Sequence, residues 1–295
     1  MASQTLIDSN KKARIWNYSK VGVIYLVCII IGIILVFPYT FMVFKSLMTS
    51  DEVINPNVVF FPSNPQWKNY LDIFTADGGA YLKALGNSLI VILFNVIAIP
   101  ISASIIAYSF AKLKFFGHKI MWVAMMLTMF LPGVATQIPL YVMYAKWGWL
   151  DSLLPLTIPN LFGGSAFYIF LIHQFMKGIP QDLLDAAKVE GASAFRIYWS
   201  IVLPLCKPVL IYIMVSIFIA NWGDFYGPLV YMSSSDAPRT IAYYVYLRAI
   251  EGDSASQLAH VRMAAGTFMT IIPAILFGLF QKQLTEGVVM TGLKG

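Results

Sequence analysis

The residues best suited to chemistry between charged groups lie together in one stretch, "DAAKVEGASAFRIYWSIVLP", residues 185–204. Asp185, Lys188, Glu190 and Arg196 stand there among the small residues Ala186, Ala187, Gly191, Ala192 and Ser193. On both sides run long apolar segments almost free of charge. Acidic residues flanking small ones suit pairing with the Arg or Lys of another surface, and the small residues let a second backbone come close. Catalysis has no comparable candidate. The chain has no GxxxxGK[ST] phosphate loop, no HExxH, and no Ser, His and Asp set with supporting context.

Two other ionisable groups fall in apolar runs. His173 reads as a histidine at the cytoplasmic interface rather than a proton relay. Asp224 lies in "NWGDFYGP", where it either pins a broken helix or lines a pathway together with Asn221 and Trp222. Ion-driven carriers place ionisable residues in the bilayer to hold the coupling ion, and the other apolar runs carry almost none. Cys28 and Cys206 have no CxxC partner and read as buried free thiols.

The elements that must position these groups are membrane helices. Of 295 residues, 59% are hydrophobic and 12% charged, against about 25% charged in soluble domains. About 20 apolar residues cross a bilayer as a helix. Six segments qualify: Val21–Phe44, Asn87–Phe110, Ile120–Tyr144, Leu153–Met176, Pro208–Tyr231 and Met263–Phe280. Pro38, Pro100, Pro132, Pro139, Pro159 and Pro273 predict kinks, tolerated where neighbours satisfy the freed backbone. The first segment is too long for a signal-peptide core and reads as a retained span.

Positive charge sets the orientation. With the N-terminus inside, thirteen Lys and Arg fall on the cytoplasmic side and seven outside. Both termini are therefore expected in the cytoplasm. The net charge of +6 is explained by this placement and does not call for nucleic acid. The expected organisation is a cytoplasmic segment 1–20, a first span 21–44 and an external loop 45–86, read as an ordered Pro/Asn-rich cap. A core of five spans over 87–281 follows, then a cytoplasmic tail 282–295. Loop 232–262 is external, and loop 177–207, which holds the charged stretch, is cytoplasmic.

Within that loop Pro180 suits a helix N1 position, and Gln181–Glu190 is a good helix former. Ile179, Leu183 and Ala187 predict one apolar stripe. Gly191 breaks the run, and Ser193 suits the N-cap of a second helix carrying Phe195, Tyr198, Trp199 and Val202 and ending at Pro204. Two short helices with small residues at their corner make a compact knob. An interfacial amphipathic helix over 180–204, belonging to a channel or secondary carrier, is the alternative; it predicts a basic polar face, whereas this one is acidic and small.

These residues resemble the EAA loop of ABC importer permeases, written E-A-A-x-x-x-G, an apolar spacer and L-P. Ala186, Ala187, Gly191, Leu203, Pro204 and Pro208 match; Asp185 stands where Glu is usual, and Glu190 where Asp is common. "NWGDFYGPLVYM" and the ending "LFQKQLTEGVVMTGLKG" are similar to the carbohydrate, MalG-like branch. The resemblance implies an all-α membrane protein of the type I importer permease fold in a bacterial cytoplasmic (inner) membrane. It implies a second homologous permease chain, two cytoplasmic ATPase subunits that bind ATP and Mg, an extracytoplasmic solute-binding protein and a carbohydrate substrate. It assigns no cofactor to this chain. Asp185, Ala186, Ala187, Glu190, Gly191, Ala192, Leu203 and Pro204 would form the ATPase-coupling surface, and the tail from Gln281 would reach the same side.

Overall fold

The structure is a computed structural model. It describes residues 2–55, 57, 59–250 and 258–289, with side chains over the same range apart from 2–19, 76–77 and 285–289. Among the described residues there is no strand. The helices are α1 (Ala2–Ser46), α2 (Ser50–Ile54), α3 (Asn69–Thr75), α4 (Ala80–Lys112), α5 (His118–Thr128), α6 (Gly133–Lys146), α7 (Leu154–Thr157), α8 (Ala166–Lys177), α9 (Gln181–Val189), α10 (Ala194–Ile197), α11 (Leu203–Leu205), α12 (Lys207–Trp222), α13 (Tyr226–Tyr231), α14 (Ile241–Ile250) and α15 (Ala259–Val289). Four helical stretches are long and apolar enough to cross a membrane, or six if each of two bent pairs is one span. The chain divides into two compact units, Met1–Leu71 with Ser254–Thr267, and Asp72–Asp253 with Phe268–Gly295.

In the first unit, α1 runs unbroken through the boundary expected near residue 20; from Lys20 to Thr40 its side chains are exposed, and only its last residues, Lys45 and Ser46, are buried. Cys28 is accordingly exposed, contrary to the expectation of two buried thiols. The segment after α1 is ordered by polar contacts. The buried Asn69 amide donates to the carbonyls of Ser46 and Met48, both at 2.9 Å, and Ser46 Oγ meets Tyr70 Oη at 2.7 Å. Thr49 and Glu52 form a capping box that starts α2.

The second unit is built around α4. Its buried residues recur every three or four positions, from Tyr81 through Ala84, Ser88, Asn95, Ile99 and Ala103 to Ala107, while Ile90, Leu93, Ile97 and Ile101 face outward. One face therefore packs on protein and the other is left to lipid. Ile99, Ala103 and Ala107 pack with Ile172 and Met176 of α8 and with Val209, Ile213 and Ile217 of α12.

Three expected spans are broken rather than kinked. Ile120–Tyr144 becomes α5 and α6, meeting at 99°; Pro132 sits at the break, where it cannot donate to a continuing helix. In Leu153–Met176 only the second half is regular. A 3-10 turn over Ile158–Phe162 leads into Gly163 and Gly164, both at positive φ, and a Cβ on Gly164 would come within 2.9 Å of Ile99 Cγ2. Ser165 then caps α8 by accepting from Phe167 N at 3.2 Å. The span expected over Pro208–Tyr231 is interrupted after Trp222 and resumes at Tyr226. The last helix, by contrast, is longer than expected, Ala259–Val289; the tail ends in residues 290–295, outside the described residues. Loop 232–262 also holds a helix the sequence did not announce, α14, tied down where Ile241 N donates to Ser88 Oγ at 2.7 Å and Asn87 Nδ2 to the Arg239 carbonyl at 3.0 Å.

Candidate functional site

The 177–207 loop folds as a knob. Pro180 takes the N-cap position of α9, one residue before the expected N1. The apolar face is Ile179, Leu184 and Ala187, all buried; Leu183, expected on that stripe, points outward. With Gln181 as the first helical residue, 184 and 187 share the inner face. α9 ends in a Schellman motif: Ala192 N donates to the Ala187 carbonyl and Gly191 N to the Lys188 carbonyl, both at 2.9 Å. Gly191 takes φ +81°, and a Cβ there would meet nothing within 4 Å. Backbone conformation thus explains the glycine within this chain, and the space above it is open. Ser193 caps α10 by accepting from Arg196 N at 3.3 Å, as its position predicts. A π-turn over Tyr198–Val202 carries the chain into α11, and the stretch Ala194–Leu205 meets α12 at 74°.

The knob is held by α4 through residues the sequence reading missed. Ser104 Oγ meets Tyr198 Oη at 2.8 Å, Tyr108 Oη donates to the Ala194 carbonyl at 3.1 Å, and Lys112 Nζ to the Ile179 carbonyl at 2.9 Å. A cleft of about 240 Å³ opens between Tyr108, Lys112, Gln181, Lys188 and Ala192. Ser, Tyr and Lys spaced by four along an apolar helix were a legible signal of one polar edge.

The outer surface is another matter. Asp185, Ala186, Glu190, Gly191 and Pro204 are exposed, Ala192 and Leu203 half-buried, and Ala187 buried. Val189 is 90% exposed, and Phe195 and Trp199 stack on each other facing outward. Asp185 is already engaged, accepting from Lys188 at 2.7 Å and Gln181 at 3.2 Å. The Lys188 hydrogen bond, then that of Gln181, holds its carboxyl below the ordinary carboxylate range. Glu190 has no ion pair among the described residues.

The stretch after α12 lies apart from the knob. Asn221 belongs to a network of amides. Asn95 Nδ2 donates to Asn221 Oδ1 at 2.8 Å and to the Leu156 carbonyl at 3.0 Å; Asn160 Nδ2 donates to Asn95 Oδ1 at 3.1 Å and to the same carbonyl at 3.0 Å; Asn221 Nδ2 donates to the Ile217 carbonyl at 2.8 Å. The break after α7 frees the Leu156 carbonyl to accept both amides. Trp222 is buried, its indole N–H given to the Met269 carbonyl at 2.8 Å. Asp224 Oδ1 accepts from Gly227 N at 3.0 Å across the helix break. Of the three residues expected along a pathway, Asn221 and Asp224 are half-exposed and Trp222 lies in the interior. Asn95 and Asn160 were not singled out from sequence, though an amide in an apolar run is itself a signal. His173 is buried with its ring 3.9 Å from that of Trp122. No cluster of three or more metal-ligating side chains occurs among the described residues.

The chain is 29% identical over 261 residues to a putative ABC transporter permease protein of Caldicellulosiruptor sp. (strain Rt8B.4), covering 88% of this chain and 91% of the relative. It is 27% identical to the arabinooligosaccharides transport system permease protein AraQ of Halalkalibacterium halodurans, covering 90% and 93%. A chain of a bacterial ABC transporter that imports the acidic polysaccharide alginate has the same fold, with a TM-score of 0.76 at 19% identity over 88% of this chain and 95% of that one. Residues 78–289 match the model of one family along the whole of the α4 core, and the chain belongs to that family, the inner membrane components of binding-protein-dependent transport systems.

Proposed function

We propose that this permease forms half of the translocation pathway of an ATP-driven importer for an oligosaccharide or related sugar derivative, and that its 177–207 knob couples it to a separate ATPase. The observation that carries the reading is the outer surface of the knob. Val189, Phe195 and Trp199 face outward around an open glycine corner, and apolar side chains so placed beyond the membrane segments call for a covering partner. The coupling set is Asp185, Ala186, Ala187, Glu190, Gly191, Ala192, Leu203 and Pro204. Closure of two ATPase subunits on ATP and Mg would move the knob, and with it the α4 core, as a rigid body. A second homologous permease chain completes the pathway. Sugar is favoured by the arabinooligosaccharide relative.

Six spans are the reading the apolar runs support, with α12 and α13 as the fifth, and the excess of Lys and Arg on one side favours both termini and the knob in the cytoplasm. Asn221 lines the pathway in this reading, while Trp222 and Asp224 hold the helix break beside it. The test is expression with the neighbouring genes, followed by reconstitution with the cognate binding protein and a panel of sugars. An ATPase and a second permease should co-purify, and one sugar should stimulate ATP hydrolysis. A chain that purifies alone and transports without ATP would return the channel or carrier alternative.

A further inference from the structure

The loop between α4 and α5, "KLKFFGHK", residues 112–119, takes no part in the coupling surface described above. Its two phenylalanines are held differently. Phe115 packs on Phe110 and His118, with ring centroids 5.4 and 5.1 Å apart, and His118 Nε2 is fixed to the Phe110 carbonyl at 2.8 Å. Phe115 thus lies against the chain though still 37% exposed, whereas Phe116 projects away from it and is fully exposed. Phe116 heads a line of exposed apolar residues along α5, Ile120, Val123 and Leu127, spaced as one helix stripe. Beside it, Lys114 and Lys119 border a groove of about 520 Å³. Neither ammonium is paired among the described residues, and no Asp or Glu occurs between Asp77 and Asp151. The loop lies on the same side as the knob, because Lys112 at the end of α4 is bonded to the Ile179 carbonyl.

We infer that residues 114–120 bind anionic phospholipid, with Phe116 set at the boundary of headgroup and acyl chain and Lys114 and Lys119 on the phosphate. Two features favour lipid over a protein partner. The apolar stripe continues without a break from the loop into a membrane helix, and the free charges are all of one sign, complementary to an acidic leaflet. Long lysine stems keep their charge in water while lying along apolar surface. This goes beyond the coupling role and does not depend on it.

The test places a photoreactive p-benzoylphenylalanine at position 116 of the full chain in a phosphatidylcholine bilayer with a minor fraction of phosphatidylglycerol. Adducts are read by mass. The expected result is lipid adducts enriched in phosphatidylglycerol by about fivefold or more over the bulk bilayer, the size of one lysine's preference for an anionic surface. Lys114→Gln with Lys119→Gln should bring the adducts back to bulk composition, and Lys114→Arg with Lys119→Arg should keep the enrichment. Adducts that are mainly protein, or lipid adducts at bulk composition in the unsubstituted lysine background, overturn the inference. Neither outcome bears on ATPase co-purification, so the two readings fail separately.

Discussion

The knob and the asparagine core use polar groups in opposite ways. In the core every amide hydrogen bond described is internal, and one of the three asparagines, Asn95, is wholly buried. In the knob the polar and apolar groups at the corner point away from the chain, and the one ion pair among the described residues, Asp185 with Lys188, is local and exposed. Satisfied polar groups in a low-dielectric interior fix a unique packing. Unsatisfied groups on a surface with large exposed apolar side chains mark a place where another molecule completes the structure. The core holds the permease's shape; in the function proposed above, the knob is completed by a partner.

The largest effect expected is at Gly191. Gly191→Val puts a β-branched residue at φ +81°, a backbone region costly for such side chains. Transport should fall to roughly a tenth or less, as a strain of about 1–2 kcal/mol adds to the loss of the open corner, while membrane insertion is unchanged. Gly191→Asn sharpens the comparison, because asparagine tolerates positive φ. Recovery of sugar uptake in that variant would limit the glycine to a backbone role, and continued loss would show that the space above it is occupied by the partner.

Next comes the core. Asn95→Leu removes a donor and acceptor that Asn160, Asn221 and the Leu156 carbonyl all use. Leaving such groups unpaired costs about 1–3 kcal/mol, so thermal unfolding in detergent should shift to lower temperature while the ATPase still co-purifies. An unchanged transition would mean that the amides are interchangeable with water and fix nothing.

Within the knob the two acids should differ. Asp185 is balanced by Lys188, so Asp185→Lys removes only a solvent-screened surface pair and should change ATPase retention little. Glu190 has no ion pair among the described residues, and Glu190→Lys should weaken ATPase retention about tenfold or more if it meets a cation across the interface. Equal retention in the two variants would sink that ranking.

The smallest effect concerns Glu52, which is exposed and yet satisfied. Its carboxylate accepts from Thr49 N at 3.0 Å and from Ser63 N at 3.1 Å, and the Thr49 backbone bond, first among several, lowers its pKa to about 2. A folded value below the ordinary 4.5 stabilises the charged form. Its contribution to local order is full above that value and fades as pH falls toward about 2. Protection from hydrogen exchange over residues 49–63, taken relative to the intrinsic rate at each pH, should therefore fall on acidification through that window, and Glu52→Gln should remove the dependence.

How much of this was legible follows from the kind of force involved. Apolar runs announced the membrane helices, and the small, acidic stretch announced the knob, its capping serine and its corner glycine, because these are local properties of the chain. The breaks were read only as kinks. Whether Pro132 bends a helix slightly or turns it through 99° depends on what stands beside it, and a single segment does not carry that. Leu183 and Leu184 are chemically equal, so only the packing against α4 and α8 decided which faced inward. Asn95 and Asn160, 65 residues apart, could be read singly as out of place in lipid but not as each other's partners.

The right angle between α5 and α6 has a consequence for how the protein is made. Neither half reaches the roughly 20 apolar residues that hold a helix across a bilayer unaided: α5 has 11 residues and α6 has 14. As they leave the ribosome, α4, whose Phe110 ring lies 5.3 Å from that of Trp122, is already made, whereas α8, which also packs on α5, is not. The nascent α5 is therefore expected to rest on α4 alone until α8 follows it. Full packing of this part of the chain should await a later segment, so synthesis and stable insertion are expected to end at different times here.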